Sequence, residues 1–134
     1  MILIIGLIWS GSAWARDDGG AKYKAPAHII VTLPKVCWWF YMDNVPNTPE
    51  YNVRVTCGSY SNHYCPGLVN MKQAETATSK MERLQQLKSA KVNMEYTLRF
   101  VTDYPECSIL PAAKMNLERL KFQIELLQGQ MQKR

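Results

Sequence analysis

The sequence predicts an α+β fold, in which a short antiparallel β-segment packs on a C-terminal antiparallel helical hairpin and disulfides brace the two. Three observations predict it. Residues 27–65 are rich in β-branched and aromatic side chains broken by proline and asparagine. Residues 66–134 repeat apolar side chains at three- and four-residue spacing. Four cysteines, Cys37, Cys57, Cys65 and Cys107, are spread over both halves.

The first element, residues 1–15, reads as a cleavable signal peptide. It has an apolar run from Ile2 to Trp9, small residues at Ser10, Gly11 and Ser12, and the small-x-small end Ala13-Trp14-Ala15. The run is shorter than the ~20 apolar residues that span a bilayer, and Arg16, Asp17 and Asp18 follow at once. No lysine or arginine precedes it, which departs from the usual signal pattern. Cleavage after Ala15 leaves residues 16–134 as a single mature domain, secreted or periplasmic, with no further stretch able to cross a membrane. In an oxidising compartment an even number of cysteines implies two disulfides.

Within 27–65, Ala27 to Leu33 is expected to be a strand that stops at Pro34. Val36 to Met42 is expected to be an aromatic strand, with Trp38 and Phe40 on one face and Trp39 and Tyr41 on the other. Val45-Pro46-Asn47-Thr48-Pro49 is a loop. Tyr51 to Cys57 alternates large and polar residues as a half-solvated strand, able to pair with Val36–Met42 as a hairpin.

From Leu68 the pattern turns helical. Ala74, Ala77, Met81, Leu84, Leu87, Met94, Leu98 and Val101 form one stripe, interrupted by Lys88 and Lys91. Tyr104-Pro105 ends that helix, and Pro111 opens the next, whose stripe is Ala113, Leu117, Leu120, Ile124, Leu127 and Met131. Facing stripes of this kind give a coiled-coil-like antiparallel hairpin connected by Thr102–Leu110. A helix over 68–101 would be about 50 Å long and its partner over 111–131 only about 31 Å. The excess suggests a break where Ser79-Lys80-Met81-Glu82 has the form of a capping box. An unbroken helix makes Cys57–Cys65 with Cys37–Cys107 the attractive connectivity. A break re-admits Cys65–Cys107 with Cys37–Cys57.

Charge and motifs narrow the function classes. The formal charge is +5, of mixed sign along the chain and without a polybasic tract, which together with export argues against nucleic acid. No Cys-x-x-Cys and no Cys-x-x-Cys-His occurs, so thioredoxin-type redox chemistry and haem attachment lack their motifs, and no cofactor is expected. Two chemical alternatives remain. One is a small secreted hydrolase using His63, and the other is a metal-binding module using Cys57, His63 and Cys65. The leading expectation is a non-catalytic interaction module, an adaptor, inhibitor or accessory subunit whose partner is another exported or envelope protein. Trp39 and Tyr41 are the expected contact residues, with Lys88 and Lys91 as a basic element on the helical hairpin.

Overall fold

Residues 22–133 are described by a computed structural model, and every regular element among them is helical. The α+β expectation is therefore wrong in its β half. The signal-peptide reading of residues 1–15 lies outside the described residues.

The three expected strands are replaced by single helical turns. These are α1 (Ala27–Ile30), a 3-10 turn (Lys35–Cys37) running into α2 (Trp38–Tyr41), and α3 (Arg54–Cys57), followed by a second 3-10 turn (Ser59–His63). Proline sets the boundaries. Pro26 caps α1 and Pro34 caps the first 3-10 turn, each with φ near −55° and extended ψ. The runs between them are short, and a two-stranded hairpin alone is only marginally stable in water. The expected hairpin partners do lie side by side. The Trp39 amide donates to the Tyr51 carbonyl at 3.1 Å, and the Val53 amide donates to the Val36 carbonyl at 2.9 Å. Two bonds between helical turns take the place of a ladder. Ile29, Leu33, Cys37, Phe40, Val53 and Cys57 point inward as the buried set of this segment.

The helical half follows its sequence closely and divides where the length argument placed the break. Helix α4 (Tyr64–Thr76) ends three residues before α5 (Lys80–Val101) begins, and α6 (Leu110–Gln132) returns alongside α5. Ser79 caps α5, its hydroxyl accepting from the Glu82 amide at 3.0 Å. The Glu82 carboxylate reaches back to the Thr78 amide and hydroxyl, both at 3.0 Å, one residue earlier than a standard capping box. These bonds, the Thr78 pair foremost, hold the Glu82 carboxyl below its ordinary pKa.

Helix α5 packs against both α4 and α6 and carries the core between them. Its buried stripe is Leu84, Leu87, Ala90, Met94, Thr97 and Val101. Ala90 fills the place that Lys88 and Lys91 were expected to interrupt, so the two lysines flank the stripe. Met81, expected in it, is exposed in the first turn. On the α4 side the backbones approach closely. A Cβ at Gly67 would stand 3.0 Å from Met94 Cε and 3.2 Å from Asn93 Cβ. On the α6 side Ala113, Leu120, Ile124 and Leu127 are buried, each large side chain contributing about 1.5–3 kcal/mol by leaving water.

The cysteines pair as Cys37–Cys65 and Cys57–Cys107, with Cα separations of 5.6 and 4.6 Å. Neither connectivity favoured by the length argument forms. Folding α4 back on α5 brings the start of α4 to the same end of the bundle as the α5–α6 connection. There the first 3-10 turn is tied to α4 through Cys37, and α3 is tied to the connection through Cys57. The pairing is decided by where the short turns dock, which helix lengths alone do not encode. Two disulfides belong to an oxidising environment, and no described helix is long and apolar enough to cross a membrane.

Candidate interaction surface

The α4–α5 seam is closed by a chain of polar side chains. His63 Nδ1 lies 2.9 Å from Asn93 Oδ1, Asn93 Nδ2 donates to Asn70 Oδ1 at 3.1 Å, and Asn70 Nδ2 donates to Gln86 Oε1 at 2.9 Å. Each carboxamide accepts from one neighbour or donates to the next, so the row fixes the facing of the two helices as well as satisfying its own groups. It also pins the His63 ring.

Above that ring stands an aromatic cluster. His63 packs on Tyr96 with centroids 3.9 Å apart, Tyr60 stacks on Phe100 at 4.5 Å, and Tyr96 meets Phe100 at 4.9 Å. Tyr96 and Phe100 are one helical turn apart on α5 and therefore share a face, while Tyr60 and His63 arrive from the 3-10 turn before α4. Tyr60 keeps 54% of its surface exposed. The cluster is thus presented to solvent on a rigid base.

The aromatic surface continues toward the N-terminal segment. Asn62 Nδ2 donates to the Tyr23 hydroxyl at 3.2 Å, Tyr23 stacks on Phe40 at 5.6 Å, and it meets Tyr41 edge-on at 5.8 Å. Tyr23, Tyr41, Val69 and Asn70 line an open groove of about 310 Å³. Burial, and then the neighbouring Tyr23, push the Tyr41 hydroxyl pKa well above its ordinary value.

Of the residues expected from sequence, Trp39 and Tyr41 both lie on α2 and both are half-buried. Tyr41 joins the aromatic belt. Trp39 is covered by its own chain, since the Lys22 ammonium stands 4.5 Å from the ring centroid and donates to the Trp39 carbonyl. Lys88 is exposed on α5, and Lys91 pairs with Glu95 at 2.9 Å, so the lysines and the aromatic pair occupy different elements. Sequence reasoning missed Tyr23, Tyr60, Tyr96 and Phe100. The four-residue spacing of Tyr96 and Phe100 was a readable signal for a shared face, whereas the approach of Tyr23 and Tyr60 depends on tertiary folding.

The chemistry-bearing alternatives meet a different geometry. Cys57 and Cys65 are both consumed in disulfides, so the set with His63 holds no thiolate for a metal. Among the described residues no cluster of three histidine, cysteine, aspartate or glutamate side chains forms. The His63 imidazole faces a carboxamide and a phenol ring, the setting of a packed and hydrogen-bonded side chain.

The chain matches no protein-family model, and neither a curated protein nor a solved structure shows significant similarity to it.

Proposed function

We propose that the protein is an exported, non-catalytic interaction module, an adaptor, inhibitor or accessory subunit that binds another exported or envelope protein. The observation that carries this reading is a pair of aromatic clusters, Tyr60, His63, Tyr96 and Phe100 in one and Tyr23, Phe40 and Tyr41 in the other, bridged by the hydrogen bond from Asn62 to Tyr23. Aromatic side chains are enriched at the centres of protein interfaces, because they bring large contact area at low entropic cost and keep a polar edge. Here they are stacked on one another and seated on a hydrogen-bonded row, so little freedom remains to be lost on binding. The two disulfides agree with export. Lys88 adds an exposed positive charge on α5, which would favour an acidic partner surface.

The test is co-purification from the native envelope fraction, using the full chain and the double variant Tyr60→Ala/Phe100→Ala as parallel baits. A partner retained by the first and lost by the second is then titrated against both. An affinity loss of at least about tenfold is expected for a central aromatic pair. Equal affinity for the two baits would remove the belt as the contact surface.

A further inference from the structure

Helix α6 is apolar on two sides. Its core face, Ala113, Leu120, Ile124 and Leu127, is buried against α5. On the other side Met115, Phe122 and Leu126 keep 68, 66 and 53% of their surfaces in solvent. At about 100° per residue these three fall within about 40° of one another, forming a narrow stripe opposite the core. A shallow pocket of about 330 Å³ opens beside Phe122, Leu126 and Gly129. Among the described residues a Cβ at Gly129 would meet nothing within 4 Å, so their packing does not require a glycine there, although glycine within a helix costs about 1 kcal/mol relative to alanine.

One flank of the stripe is charged in strict alternation: Lys114, Glu118, Lys121, Glu125. Two copies of α6 laid parallel about a two-fold axis would turn this flank toward the other flank of the second copy, which carries Asn116, Arg119 and Gln123, so the alternating charges would not meet each other. Two copies laid antiparallel, with a two-fold axis passing between Arg119 and Leu120, set Lys114 opposite Glu125 of the second copy and Glu118 opposite Lys121. The flank is self-complementary only in that direction. The apolar stripe selects the same axis independently. With it, Met115 lies level with Ile124 of the second copy, midway between Phe122 and Leu126, which is the position of a knob entering a hole. Pro111 then lies level with Gln128, next to the open space at Gly129. A two-fold contact of this kind uses the same patch on both subunits, as a closed dimer requires.

We infer that the outer face of α6 binds a second copy of this chain, forming an antiparallel helix-to-helix dimer centred between Arg119 and Leu120. The contact is a single helix face, at the small end of specific interfaces, so association is expected in the micromolar range or weaker.

Sedimentation equilibrium of the full chain from about 1 μM to about 1 mM brackets that range. The mass is expected to rise from the monomer's 15.4 kDa toward twice that value. Phe122→Glu should hold it at the monomer, with helicity unchanged and melting equal to that of the parent at concentrations where both are monomeric, because the side chain is exposed. Lys114→Glu/Lys121→Glu makes the flank wholly acidic, and Glu118→Lys/Glu125→Lys makes it wholly basic. Each alone should associate at least about tenfold more weakly than the parent, and an equimolar mixture should recover a mixed dimer. Four results would overturn the assignment: a parent chain monomeric throughout, association that survives Phe122→Glu, charge variants that self-associate as well as the parent, or a monomer whose Phe122→Glu variant loses a different native protein.

Discussion

Replacing Cys57 and Cys107 together by alanine removes the longer of the two cross-links, and the structure sets its expected cost. The bond closes a loop with a sequence separation of 50 residues. The loop-closure entropy it withholds from the unfolded chain corresponds to about 4 kcal/mol at 25 °C. Both sulfurs are buried, Cys57 at 1% and Cys107 at 4% exposure, so alanine leaves small voids and no unpaired polar group. For about 110 ordered residues the unfolding entropy near the midpoint is about 0.23 kcal/mol/K, so the loss lowers Tm by about 17 °C. Urea unfolding and thermal unfolding, each followed by far-ultraviolet circular dichroism without reductant, read the free-energy loss and the Tm shift respectively. The m-value should rise as well, because the released unfolded chain exposes more surface. A loss below about 1 kcal/mol with an unchanged m-value would show that the link does not restrain the unfolded chain, and the reasoning would fail.

Two further outcomes follow from single residues. Gly58 closes α3 with φ +77° and ψ 171°, and a Cβ there would stand 2.6 Å from the Tyr104 ring. Gly58→Ala should therefore cost about 1–3 kcal/mol in a urea melt. Adding Tyr104→Ala should relieve the clash but leave the backbone part of the loss, and complete recovery would show that the conformation is not strained. Tyr41 has its pKa raised by burial and by Tyr23, so above the ordinary tyrosine pKa of about 10 the unfolded chain sheds a proton that the folded chain keeps. Its contribution is thus complete below pH 10 and is lost as the pH climbs further. Tyr41→Phe should flatten that alkaline decline, and an unchanged slope from pH 9 to 12 would contradict the burial argument.

The helical half was legible because its signals are local. Ser79 and Glu82 announce the start of α5, Tyr104-Pro105 its end and Pro111 the start of α6, and the structure starts both helices within a residue of these signals and ends α5 three residues before Tyr104. The first half was misread because β-branched and aromatic residues report a preference for buried, crowded surfaces more than a backbone conformation. Ile29, Phe40 and Val53 are buried, but in or beside helical turns docked on the bundle and not in strands. The disulfide pairing was beyond reach for the same reason, since Cys37 and Cys57 ride on those turns. Of the candidate surface, Tyr41 and Trp39 were named from sequence, Trp39 lies under Lys22, and the Tyr60–Phe100 stack required knowing that the 3-10 turn lies across α5. Four-residue spacing of opposite charges is only a partial guide to pairing: Lys91 meets Glu95, whereas Lys121 turns back to Glu118 at 2.7 Å instead of forward to Glu125.

The order of the bridged cysteines along the chain is 37, 57, 65, 107, with the first joined to the third and the second to the fourth. The two spans interleave, so every peptide bond between Cys37 and Cys107 lies inside at least one of them. A protease that nicks the backbone anywhere in that stretch, including the loop 42–53 or the α4–α5 joint, leaves both fragments covalently attached. The short turns from Cys37 onward, α4 and α5 thus survive a single cut as one covalently joined body. Only α6 and the segment before Cys37 can be cut loose, so a single nick anywhere between the outermost cysteines leaves the covalent continuity of that stretch unbroken.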